Sequence, residues 1–161
     1  MSSPAKKSPD SGSQQRKKAS PIDLGTARQM LPLVSSIVVD IVDHKKKMQA
    51  LSREQTILEQ ERRNLSWEAR SWRYAVTDEL VQVERNLTTA VGELNELGVA
   101  LVDPDSGTVD FPTKINGRPA AFIWEPGEEG LRFWHYAEED QRRPIPSDWQ
   151  SGNPLRGRSG S

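Results

Sequence analysis

The sequence predicts an α+β fold: a long, coiled-coil-like antiparallel helical hairpin followed by a small four-stranded antiparallel β-meander. Three observations predict it. Apolar residues recur at alternating spacings of four and three over two long stretches, the period of helices packed along a narrow seam. A short polar turn separates these stretches, and Gly98 closes the second. Beyond Gly98 the pattern changes to short β-rich runs punctuated by Asp103-Pro104-Asp105-Ser106-Gly107, Asn116-Gly117 and Pro126-Gly127.

The first helix opens at Ile22-Asp23-Leu24, where the Asp23 carboxylate can accept the orphan amide protons of the first turn. Ile22 is placed to staple against Ala27. The seam then runs Met30, Val34, Ile37, Ile41, His44, Met48, Leu51, Gln55, Leu58, Arg62, Leu65. Pro32 lies inside this helix, where it removes one backbone bond and is expected to kink it. At 1.5 Å per residue such a helix is ~60 Å long. Arg62-Arg63-Asn64 suits a helix C-terminus, and Ser66 can cap a new helix with Glu68 in its first turn. Ser71 is an alternative cap. The second seam runs Val76, Leu80, Val83, Leu87, Ala90, Leu94, Leu97. A turn centred near Leu65 leaves Leu24–Pro32 overshooting the second helix, so this segment is expected to bend onto whatever follows residue 97.

The predicted strands are Val99–Val102, Thr108–Phe111, Ala120–Glu125 and Leu131–Tyr136, with Arg142-Arg143-Pro144-Ile145-Pro146 extended after them. Residues 1–21 read as a disordered basic tail, residues 22–97 as the hairpin, and residues 98–146 as a meander forming one folded unit with it. Residues 147–161 read as a second disordered tail. Both tails are too poor in large apolar side chains to offset the entropy of ordering them.

Of 161 residues, 22 are Lys or Arg and 23 are Asp or Glu, which is close to balance. The balance hides an uneven distribution: five bases and one acid in 1–21 leave the middle of the chain, residues 22–146, acidic. An acidic core argues against nucleic acid as a partner, except for weak contact through the basic tail. There are no cysteines, which excludes disulfides, cysteine–zinc sites, iron–sulfur clusters and thiol nucleophiles. No apolar run approaches the ~20 residues of a membrane span, and no signal-peptide core is present, so a cytoplasmic protein is expected. Gly-rich phosphate loops, Ser-His-Asp motifs and zinc helices are also missing from the sequence.

One set of residues carries a family resemblance. Ala27 with Met30-Leu31-Pro32, Leu97-Gly98-Val99, Asp103, Gly107, Val109-Asp110-Phe111-Pro112, Trp124, Gly127-Glu128 and Trp134-His135 stand in fixed order. Over residues 22–146 this resembles the bacterial domain-of-unknown-function family 2203. The resemblance implies the fold and brings no activity with it. Where that family often has Cys before the first Trp, this chain has Ile123, so a thiol role at that position is not expected.

His135 is the most chemically suggestive residue. Alternation places it on one strand face with Leu131 and Phe133, within possible reach of Asp110, Glu125 and Glu128. A histidine with carboxylates can bind a divalent metal or act as an acid–base pair, or it can simply be a hydrogen-bonded structural side chain. His44, on the helical seam, reads as a register-fixing polar position. The aromatics Phe122, Trp124, Phe133, Trp134 and Tyr136 suggest a sheet apolar on both faces, one against the helices and one open to a protein partner. The candidate functional cluster is therefore Asp110, Trp124, Glu128, Trp134, His135 and Arg143, with no metal site assigned and no cofactor expected.

Two readings follow. In the first the protein is a non-enzymatic interaction or oligomerisation module. Its outer apolar positions Val38, Val42, Val81 and Val91 would be covered by forming a homodimeric four-helix bundle. In the alternative it is a small-ligand or metal-binding protein, or an enzyme, built on His135, Glu128, Asp110 and Arg143.

Overall fold

The structure, a computed structural model, describes residues 20–149. Helix α1 (Leu24–Gln60) runs unbroken through Pro32 and turns through a 3-10 segment, Arg62–Asn64. Helix α2 (Trp67–Glu96) returns antiparallel to it. The caps are those expected from the sequence. Asp23 Oδ1 accepts from the Thr26 amide at 2.8 Å, and Ser66 Oγ from the Ala69 amide at 3.2 Å. At the far end of α2, Gly98 takes φ +84°, which lets its amide bond Asn95 O and the Val99 amide bond Leu94 O. That pair of bonds satisfies two orphan carbonyls and turns the chain into the sheet.

Five strands follow, β1 (Ala100–Asp103), β2 (Thr108–Ile115), β3 (Arg118–Trp124), β4 (Phe133–Tyr136) and β5 (Arg143–Pro144), in that spatial order and all antiparallel. Sequence reading gives four strands. The fifth is two residues long, too short for any period to mark it, and pairs only because β4 presents an open edge to it.

Register decides which face each side chain takes. Val109, Phe111 and Thr113 of β2 are level with Trp124, Phe122 and Ala120 of β3, and Phe122 and Ala120 with Trp134 and Tyr136 of β4. These residues form one face, and the helices pack on it. A single core joins Leu24, Ala27, Val34, Ile37, Val38 and Ile41 of α1, and Ala90 and Leu94 of α2, to Val109, Phe111, Phe122, Trp124 and Trp134. The other face carries Asp110, Pro112, Lys114, Ala121, Ile123, Phe133 and His135. The aromatics therefore do not divide between two faces as expected. Phe122, Trp124, Trp134 and Tyr136 all point into the core, and only Phe133 is left opposite. Leu131 also departs from expectation: it precedes β4 and is buried in the helix-facing core rather than sharing a face with His135.

The outer positions of the hairpin are corrected in the same way. Val38 is fully buried, and Val42 and Val91 pack against the core, so three of the four positions assigned to a bundle partner are taken up by the chain's own core. Only Val81, at 46% exposed, remains open. Away from the sheet the hairpin has a thin core of its own, Leu51, Val76, Leu80 and Val83 with Met48 and Leu58.

Residues 1–19 and 150–161, most of the two expected tails, lie outside the described residues. Ser147–Trp149, counted with the C-terminal tail by sequence, instead form a 3-10 helix, and the Trp149 ring lies 5.6 Å from that of Trp134. A lone aromatic in a polar segment gives no local sign that it will find a ring to pack on. Trp149→Ala is expected to lower stability by about 1–2 kcal/mol, the loss of a half-buried aromatic contact. A thermal melt unchanged by this substitution would show that the stacking carries no weight.

Candidate functional site

On β4 the pleat turns His135 away from the helices. It is level with Ala121 on β3, while Asp110 on β2 is level with Ile123, so the imidazole meets the carboxylate on a diagonal across β3. The small Ala121 side chain leaves room for the ring to lie over the central strand. His135 Nε2 stands 3.1 Å from Asp110 Oδ1 and 3.2 Å from Oδ2, and Nδ1 stands 2.7 Å from the Tyr136 carbonyl oxygen. Both side chains are largely buried. Burial by itself would depress the histidine pKa. The hydrogen bond and charge of Asp110, with the Tyr136 and Glu139 backbone, outweigh it and raise the pKa above its ordinary 6.5. With both ring nitrogens occupied, His135 has no free position from which to take a substrate proton.

The rest of the predicted cluster separates into two further groups. Trp124, in the core, donates its indole N–H to the Glu128 carbonyl at 3.1 Å, closing the β3–β4 loop. The Glu128 carboxylate caps the Glu125 amide, and Arg142 bridges both carboxylates at 3.1 and 3.3 Å. Thr108 Oγ1 donates to Glu125 Oε1 at 3.0 Å, tying this loop to the start of β2. Arg143 goes elsewhere. It bonds Glu139 at 2.9 Å and lies 5.3 Å from the ring centres of both Trp134 and Tyr136. Thus His135 meets Asp110, Glu128 meets Arg142, and Arg143 meets Glu139. Among the described residues, no three His, Cys, Asp or Glu side chains converge as metal ligands would. Arg118 pairs with Glu138 at 2.8 Å.

Two surface grooves lie away from these groups. One, of about 230 Å³, runs between the helices and is lined by Asp40, His44, Asn86, Thr89, Ala90 and Glu93. The other, of about 380 Å³, is at the hairpin tip among Glu59, Gln60, Arg62, Arg63 and Asn64.

On α2 lies a surface feature of which sequence reading names only Val81. Trp67, Tyr74 and Val81 are 69%, 64% and 46% exposed. They are spaced by seven, so they form one stripe along the helix, on the side opposite the Val76–Leu80 seam. Arg73 lies 5.6 Å from the Tyr74 ring. Ile57, and Trp72 with its indole N–H on Glu54, add exposed apolar surface near the same end. The seven-residue spacing was visible in the sequence. The contrast between these exposed rings and the buried seam was not.

The model of the family described as Uncharacterized conserved protein (DUF2203) matches residues 22–145. No curated protein and no solved structure matches the chain. Among the described residues, no helix is long and apolar enough to cross a membrane.

Proposed function

The chain belongs to the DUF2203 family, and from that premise we propose that it is a non-enzymatic interaction module that pairs as a homodimer through the distal arm of its hairpin. The observation that carries this reading is the exposed Trp67–Tyr74–Val81 stripe. Exposed Trp and Tyr beside Arg is the composition that dominates binding energy at protein interfaces.

A second copy of the chain is the occupant that fits. The stripe is centred on Tyr74, with Trp67 and Val81 seven residues to either side. A two-fold antiparallel contact therefore sets Trp67 of one protomer against Val81 of the partner subunit. Aromatic side chains bury roughly 150–250 Å² each. The exposed parts of Trp67 and Tyr74 thus offer about 200–350 Å² per protomer, by the same scale. Two protomers together supply about 400–700 Å² from these rings, and flanking side chains must supply the rest of the about 1,200 Å² at the low end of specific contacts. The four-helix contact is confined to the arm beyond the sheet, because Val38, Val42 and Val91 already belong to or pack on the chain's own core.

The ligand- or metal-binding alternative gains nothing from the geometry, since His135, Glu128, Asp110 and Arg143 do not converge. Light scattering of the full chain tests the proposal. The expected result is a dimer, and Trp67→Ser with Tyr74→Ser is expected to give a monomer with unchanged helix content. A wild type that stays monomeric to high micromolar concentration overturns it.

A further inference from the structure

The two ring nitrogens of His135 both face oxygens that can only accept. One is the Tyr136 carbonyl at 2.7 Å from Nδ1, and the other is the Asp110 carboxylate at 3.1 and 3.2 Å from Nε2. A neutral imidazole has one N–H and one lone pair. Either neutral tautomer would therefore press a nitrogen lone pair against an oxygen lone pair. Turning the ring over does not help. It would set a ring carbon 2.7 Å from the Tyr136 oxygen, well inside the 3.3–3.6 Å of C–H···O contacts. Nor does the carboxylate supply the missing proton, because imidazole is ordinarily the stronger base by more than two pK units.

We propose that His135 is an imidazolium clamp: it holds both ring protons in the folded protein, donates one to Tyr136 O and one to Asp110, and on losing a proton gives up the side-chain link from β4 across β3 to β2. The clamp reaches over β3, so it adds a side-chain link between β2 and β4 to the backbone ladder that each makes with β3. What it secures is short. Strand β4 has four residues and β5 two; Arg143 of β5 lies against Trp134, and the Trp149 ring beyond the strands packs on Trp134 as well.

The charged surroundings are few. On this face β2 brings Asp110 and Lys114, and β3 brings only Pro119, Ala121 and Ile123. After β4 come Glu139, whose backbone also bonds the histidine, and Arg142, 5.9 Å from the Phe133 ring. On the core side, behind the strand, Arg118 and Arg143 lie against Tyr136. Asp110 alone touches the imidazole with an opposite charge.

The sign of the pH dependence follows from the raised histidine pKa. Stabilisation by the clamp is complete below the unfolded value near 6.5 and is lost as pH rises through the folded value.

Nitrogen-15 NMR of the full chain tests the clamp directly. The chain has two histidines, so His44→Gln assigns the remaining signal to His135. At pH 6 both ring nitrogens should carry protons, and the titration midpoint should lie above 6.5. Asp110→Asn should lower that midpoint. Above the wild-type midpoint, exchange of the Ala137 amide, bonded to Pro119 O at 2.9 Å, should rise faster than base catalysis alone explains. A single neutral tautomer at pH 6, a midpoint at or below 6.5, or a midpoint unmoved in Asp110→Asn overturns the proposal. The wild-type spectrum decides the protonation state even if the variant fails to fold.

Discussion

Gly107→Ala is expected to destabilise the protein by about 2–5 kcal/mol, and the reason lies between the sheet and the hairpin. Gly107 closes the β1–β2 turn with φ +85°, its amide bonded to Asp103 O at 2.8 Å. A Cβ there would stand 2.7 Å from Val38 Cγ1 and 2.9 Å from Pro126 Cγ. Val38 is fully buried in α1 and has nowhere to retreat. The variant thus combines left-handed strain of about 1–2 kcal/mol with overpacking of about 1–3 kcal/mol. Gly117→Ala is the control. Its φ is +75°, but no atom lies within 4 Å of the added Cβ, so only the backbone strain remains. Denaturant midpoints of the two variants separate the contributions. Equal losses would mean that the turn does not press on α1.

Phe122→Ala should cost about 3–5 kcal/mol, as a large aromatic removed from a filled site does. Phe122 is fully buried at the centre of the sheet, level with Phe111 on one side and Trp134 on the other. The core it belongs to also contains residues of both helices. The hairpin and meander are expected to unfold as one cooperative unit. Helical circular dichroism and the fluorescence of the buried tryptophans should therefore shift together to a lower melting temperature. A helix transition that stays in place while the fluorescence transition drops would show that the hairpin and the sheet fold separately. The loss is large against the 5–15 kcal/mol that typically separates a folded domain from its unfolded chain.

The elements were legible in the sequence because their signals are local. A heptad is read within two turns of helix. The Asp23 and Ser66 caps act on amides three residues away. Gly98, Gly107 and Asn116-Gly117 mark backbone conformations that belong to single residues. Gly98 and Gly107 also stand among the residues that carry the family resemblance, and the match over 22–145 agrees with that resemblance. Four strands too were found, although β2 runs past Phe111 through Pro112 to Ile115, and β5, whose two residues hold no period, was not.

What the sequence could not supply was which side chains meet. Asp110, Glu128, Arg143 and His135 are the right residue types for one site, yet they fall into three separate groups. Side chains alternate faces along a strand, so a shift of one residue moves a side chain to the other side of the sheet. Register thus put His135 beside Asp110, and it gave Arg143 to Trp134 while Arg142 went to the glutamates. Tertiary packing likewise covered Val38 and found a place for Trp149, while leaving Trp67 and Tyr74 in solvent. The sequence alone determined the helices, their caps and turns, and the meander, because periodicity and backbone preference act over a few residues. Only the tertiary structure decided the charge partners, the buried face of the sheet and the exposed stripe, because these depend on how distant segments align.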